Sequence, residues 1–151
     1  MINLSLYLKK DLIKLRENLS SKDEVLKRIA ELLSSGGYVE DQERAFTELK
    51  KREEIQSTGI GGGIAVPHLL CTIEEPVVGF LTLQNPVDFE ALDGKPVDIV
   101  FFTAAPNPNL HLRMLARLAR LVKSSDIVEK IRKARTPEEA YEAFKQEEIK
   151  L

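Results

Sequence analysis

At 151 residues, with 43% hydrophobic and 30% charged side chains, the chain has the size and balance of one globular domain with a real core. No apolar run approaches a membrane span, and lysines follow the first apolar residues with no small-residue cleavage site. The start therefore reads as no secretory leader. With Cys71 as the only cysteine there is no disulfide framework, so a reducing cytoplasm is the expected location. The net charge of −2 argues against a general nucleic-acid binder, which carries a basic excess.

Residues 1–151 read as one domain, without repeat, low-complexity tract or linker. Leu12 to Leu15 reads as a short first strand or as the end of a small N-terminal helix. Ser21-Lys22-Asp23-Glu24 is a capping box, followed by Val25, Ile29, Leu32 and Leu33 on one helical face; Gly36-Gly37 stops that helix. Asp41 caps a second helix running to about Arg52, with Ala45, Phe46 and Leu49 as its apolar stripe.

The cluster Gly59-Ile60-Gly61-Gly62-Gly63 leads into a brief strand, Ile64-Ala65-Val66, which Pro67 is expected to end. Val77 to Leu83 reads as a strand, Asp93-Gly94 as a turn, and Val97 to Phe102 as a strand covered on both faces. The connection between those two strands is too short for a crossover helix, so they should pair antiparallel. Three helices follow, at about Leu110–Lys123, Asp126–Ala134 and Pro137–Gln146; the last opens on a second capping box, Thr136-Pro137-Glu138-Glu139. Helices at both ends with buried strands between them predict an α/β fold, a three-layer α/β/α sandwich around a small mixed sheet.

Chemistry narrows to two histidines. His68 follows Pro67 at a strand end, and His111 lies in the first turn of a helix behind Asn109, the expected cap. Neutral imidazole attacks phosphorus without a strong base. A helix start offers amides and positive potential to a phosphoryl group, and the same potential holds a histidine neutral. The plainer readings stay open beside this one: a turn residue for His68, a cap or packing residue for His111.

The glycine cluster fits neither G-x-x-x-x-G-K-[ST] nor G-x-G-x-x-G and reads as a tight turn at a pocket edge. His68-x-x-Cys71 lacks a second ligand pair for zinc, so Cys71 reads as a small buried residue or an incidental thiol. Arg113, Arg117, Arg120 and Lys123 recur at helical spacing and read as a solvated face.

Taken together, two segments resemble a known family. Arg52-Glu53-Glu54-Ile55-Gln56-Ser57-Thr58-Gly59 through Ala65-Val66-Pro67-His68, and the helical segment from Asn109-Leu110-His111-Leu112 to Leu121, resemble the fructose–mannitol class of enzyme IIA of the bacterial phosphotransferase system. The likeness runs from about Leu12 to Lys145. It implies a mixed sheet between helical layers, no metal or organic cofactor, and a phosphohistidine carrier. Such a carrier accepts a phosphoryl group from the phosphocarrier HPr and passes it to a cysteine of enzyme IIB, and through it serves a membrane enzyme IIC. By the resemblance His68 is the phosphorylated histidine, His111 the second active-site histidine, and Arg52 the arginine that steadies phosphate charge.

The chain departs from the family at Leu69, where a small residue usually follows the histidine, and at Gly62, where the loop usually carries a polar residue. Leu69 is expected to narrow the approach or to add an apolar docking contact. Two other roles fit the same pattern: a nitrogen-regulatory enzyme IIA acting by phosphorylation-dependent binding to protein targets, and an interaction module of related fold without phosphoryl transfer.

Overall fold

Along the central strands, neighbouring side chains bury on opposite faces. Leu12 and Ile13, Leu81 and Phe80, Val100 and Ile99, and Phe102 and Phe101 divide between two separate apolar clusters. Both faces of the sheet therefore need a helical cover. The computed structural model describes residues 2–151 and supplies that cover.

The strands are β1 (Leu8–Glu17), β2 (Gly59–Gly61), β3 (Ile64–Ala65), β4 (His68–Leu70), β5 (Val77–Val87) and β6 (Val97–Ala105). The helices are α1 (Lys22–Ser35), α2 (Gln42–Ile55), α3 (Pro108–Ser124), α4 (Ile127–Lys133) and α5 (Pro137–Ile149), with a 3-10 turn at Leu4–Leu6. The sheet order is β1-β5-β6-β3-β2, with β4 also pairing β6. β1 runs parallel to β5, β5 antiparallel to β6, and β3 and β4 parallel to β6. The fold is the expected α/β sandwich on a mixed sheet: α1 and α2 cover one face, α3, α4 and α5 the other. Among the described residues no helix is long and apolar enough to cross a membrane.

Local sequence sets most boundaries. Ser21 Oγ accepts from the Glu24 amide at 3.1 Å, Asp41 from the Arg44 amide at 3.1 Å, and Thr136 Oγ1 from the Glu139 amide at 3.1 Å. In both capping boxes the returning carboxylate reaches one residue further out than expected, to the Ser20 and Arg135 amides. The glycine run makes a hairpin between β2 and β3. Gly61, Gly62 and Gly63 have φ of 97°, 66° and 82°, a left-handed run that side chains with a Cβ rarely adopt.

Two expectations need correction. Pro67 does not end the pairing. Ile64 and Ala65 oppose Ile99 and Val100, while His68, Leu69 and Leu70 oppose Thr103, Ala104 and Ala105. The offset is the same on both sides, so β3 and β4 are two halves of one strand. The break falls where Pro67 has no N–H to give the ladder. The cap of α3 is Asn107 rather than Asn109: its side chain accepts from the Leu110 amide at 2.8 Å, with Pro108 in the first turn.

On the α5 side, Phe80, Phe101 and Phe144 meet at centroid distances of 5.6, 6.0 and 6.3 Å, all fully buried. Phe144→Ala leaves a void that the two strand phenylalanines cannot fill. A loss of about 3–5 kcal/mol is expected in urea unfolding.

Candidate functional site

His68 opens β4 directly after the proline break, and its position beside Thr103 turns it to the α3 face of the sheet. It is 9% exposed. Arg52, in the last turn of α2, donates from Nε to His68 Nε2 at 2.9 Å and from Nη1 to the Gln56 carbonyl at 2.7 Å. On the other side of the ring, His68 Nδ1 faces the Val66 carbonyl at 3.3 Å. A nitrogen that accepts from a guanidinium carries no proton, and one that faces a carbonyl needs one. Both contacts thus select the Nδ1–H tautomer with the lone pair on Nε2.

His111 comes from α3, the helix on the face to which His68 is turned, one turn from its start. Its ring lies 3.9 Å from that of His68, centroid to centroid, at 30°. The structure therefore brings together all three residues singled out in the sequence: Arg52, His68 and His111.

Both histidines are held neutral. Burial lowers the His68 pKa below its ordinary 6.5, with the Arg52 charge adding to the shift and the Val66 carbonyl opposing it. Burial, then His68, then Arg52 push His111 down to about 4. Desolvation is the largest of these causes. The α3 start offers fewer amides than expected. Pro108 has no N–H, Leu110 is bound by the cap, and His111 N–H donates to the Asn107 carbonyl at 3.1 Å.

These lowered values have a consequence for stability. Between pH 6.5 and about 4 the unfolded chain binds protons that folded His111 refuses, so this histidine's contribution is present above pH 6.5 and is lost as pH falls. The urea midpoint of the wild type is expected to drop more steeply through that window than that of His111→Ala. Equal slopes would contradict the lowered pKa.

Other singled-out residues fall outside this cluster. Leu69 is 3% exposed and packs into the α1–α2 core, so it neither narrows the approach nor offers a docking contact; Leu70, 45% exposed, is the outward neighbour. Gly62 donates its amide to Asp93 Oδ2 at 3.0 Å, tying the hairpin to the turn between β5 and β6. Cys71 packs against the same core as Leu69, and burial raises its thiol pKa. Arg113, Arg120 and Lys123 are exposed as expected, but Arg117 turns inward to Glu148 at 3.0 Å.

Sequence reasoning missed Thr103. It lies beside His68 in register, 2% exposed, and its hydroxyl and His111 Nδ1 are buried atoms without a hydrogen-bond partner among the described residues. A hydroxyl directly after the apolar run Ile99–Phe102 was the signal that could have marked it.

A paired-histidine site at a strand break, faced by an arginine, on a mixed α/β/α sandwich, defines a class of phosphoryl-handling domain. Residues 6–147 match the family described as "Phosphoenolpyruvate-dependent sugar phosphotransferase system, EIIA 2", and the chain belongs to that family as a phosphotransferase component. It is 38% identical over 125 residues to a nitrogen regulatory protein of Pseudomonas aeruginosa, covering 81% of each chain. It is 35% identical over 123 residues to the fructose-specific EIIABC component of Bacillus subtilis, covering 80% of this chain and 19% of that protein. Among solved structures, the nitrogen regulatory protein IIA-Ntr of Neisseria meningitidis superimposes with a TM-score of 0.84 at 28% identity, covering 93% of this chain and 97% of that one.

Proposed function

We propose that the chain is a phosphohistidine carrier in which His68 Nε2 takes a phosphoryl group from phospho-HPr and passes it to a thiolate of enzyme IIB. The observation that carries this reading is the two-sided anchoring of the His68 ring, which places a lone pair on Nε2 and a proton on Nδ1. Attack by Nε2 forms one N–P bond as the donor's N–P bond breaks. The Val66 carbonyl keeps the Nδ1 proton in place as the ring gains positive charge. Transfer of this kind depends on positioning and charge neutralisation more than on covalent help. Arg52 releases the lone pair and turns its donors to the phosphoryl oxygens, and His111 supplies a further donor from the adjacent ring.

Exposed apolar side chains stand within three residues of each site residue. Ile55 is three residues beyond Arg52, Leu70 two beyond His68, and Leu112 follows His111; they are 80%, 45% and 67% exposed. Exposed apolar groups so near the site residues in sequence suit a protein partner that must bring its own phosphorylated group to Nε2.

The destination has two readings. The fructose-specific relative, whose name joins A, B and C components, supports onward transfer to IIB and IIC in sugar uptake. The nitrogen regulatory relative, matched over an equal share of both chains, supports a regulatory role read through binding of protein targets.

The test is to mix the purified chain with phosphoenolpyruvate, enzyme I and HPr and to weigh it intact. The expected result is a single phosphoryl adduct that is lost in acid. No adduct with an HPr of proven activity would overturn the reading in favour of an interaction module. Discharge of the adduct by an added IIB would favour transport over regulation.

A further inference from the structure

Glu53 follows Arg52 in the last turn of α2 and is 6% exposed. The position is doubly unfavourable for a carboxylate. Burial removes its water, and the C-terminal end of a helix carries negative potential. Three donors offset these costs. The Thr58 amide reaches Glu53 Oε1 at 2.8 Å, the Thr58 hydroxyl reaches Oε2 at 2.6 Å, and Lys22 Nζ lies 3.3 Å from Oε1.

The clamp leads on to the nucleophile. Thr58 is itself 3% exposed, and its carbonyl accepts from the Val66 amide at 2.9 Å. The next peptide, between Val66 and Pro67, has no N–H of its own. The direction of the Val66 carbonyl is therefore set by the bond at the Val66 amide and, beyond it, by the Pro67 carbonyl, which accepts from the Thr103 amide at 3.3 Å. The Val66 carbonyl is the group that faces His68 Nδ1.

We propose that Glu53 and Thr58 are positioning residues for phosphoryl transfer. Their clamp aims the Val66 carbonyl that fixes the His68 tautomer, and it ties the strand bearing His68 to the helix turn bearing Arg52. The proposal rests on the assignment of His68 Nε2 as the acceptor and extends it to residues that touch neither the ring nor the phosphoryl group. One carboxylate thereby joins both halves of the site. Arg52 leaves α2 one residue before Glu53, His68 leaves the sheet two residues after Val66, and they meet at 2.9 Å.

The test reads the tautomer directly, on the whole chain, from long-range proton–nitrogen correlations of the His68 ring in 15N-labelled protein. The wild type is expected to show one species protonated at Nδ1. Thr58→Val keeps the side-chain shape and the amide bond to Glu53 but loses the hydroxyl bond; Glu53→Gln removes the charge that faces Lys22 and replaces the short charge-assisted bond from the Thr58 hydroxyl with a weaker neutral one. Both variants are expected to populate the second tautomer and to slow uptake from phospho-HPr by about tenfold to a hundredfold. Thr58→Ser is expected to regain the single species and most of the rate. A merely structural clamp would leave the tautomer unchanged, so wild-type spectra and rates in both Thr58→Val and Glu53→Gln would overturn the proposal. Failure of the wild type to take up phosphate would instead sink the carrier reading, while the tautomer of the unphosphorylated chain would still decide the clamp.

Discussion

His68→Ala is expected to take up no phosphoryl group from phospho-HPr under conditions that charge the wild type fully, a loss of more than about a thousandfold. No second nucleophile in the site can take over. Without His68 the lowering of the His111 pKa is smaller, but burial and the Arg52 charge still act on it, and no carbonyl anchors its Nδ1. Cys71 is held as the thiol by burial, so the reactive thiolate is scarce. His111→Ala removes one donor and is expected to slow uptake about tenfold or more without abolishing it. An acid-labile adduct on His68→Ala would move the nucleophile elsewhere and undo the reading. Intact-mass measurement on the two variants beside the wild type separates these cases.

The helices were legible because their signals are local. The Ser21 and Thr136 caps, the glycine stop after α1 and the stripe of Val25, Ile29 and Leu33 all lie within one or two turns. The antiparallel pairing of β5 and β6 followed from a connection too short for a helix. The rest depends on contacts distant in sequence. β4 is three residues long and exists because β6 continues past the proline break. β1 extends well beyond Leu12 to Leu15, but Lys9, Lys10 and Asp11 interrupt its apolar residues and its pairing with β5 carries two register shifts. Neither a period of 2 nor one of 3.6 survives such interruption.

The site divides in the same way. Chemistry alone left His68 and His111 open to bland readings, and Arg52 had no local mark at all; the family resemblance supplied it. What no motif could give is geometry. The contact of the two rings joins a strand to a helix 43 residues later in the chain. The tautomer depends on a carbonyl beside a proline and a guanidinium from another helix. Glu53 did carry a readable sign, an acidic residue in the last turn of a helix where the dipole opposes it, but its partner Thr58 becomes visible only once that turn is folded.

Arg52→Gln is expected to slow phosphoryl uptake by about a hundredfold to a thousandfold. The sign is not obvious, because Arg52 acts in two opposing ways. In the unphosphorylated chain its Nε donates to the lone pair that must attack, so its removal frees the nucleophile. The same guanidinium is the cation placed to neutralise the incoming phosphoryl oxygens, with a fork of donors that a glutamine amide lacks. A single hydrogen bond to a charged donor is worth about 1.5–3 kcal/mol, and the freed lone pair regains at most that. Arg52 gives up the same bond on the way to transfer and replaces it with charge-assisted bonds to a group carrying more than one negative charge, so the loss should prevail. A second readout follows from electrostatics. Arg52 helps to lower both histidine pKa values, so Arg52→Gln should raise them and shift the acid limb of the uptake profile to higher pH. A variant that is faster than the wild type would make Arg52 a cover for the lone pair and leave phosphate neutralisation to His111. A slower variant with an upshifted profile assigns Arg52 the charge itself, and Arg52→Lys should then fall between the two, keeping the charge while losing the fork that spans His68 and the Gln56 carbonyl.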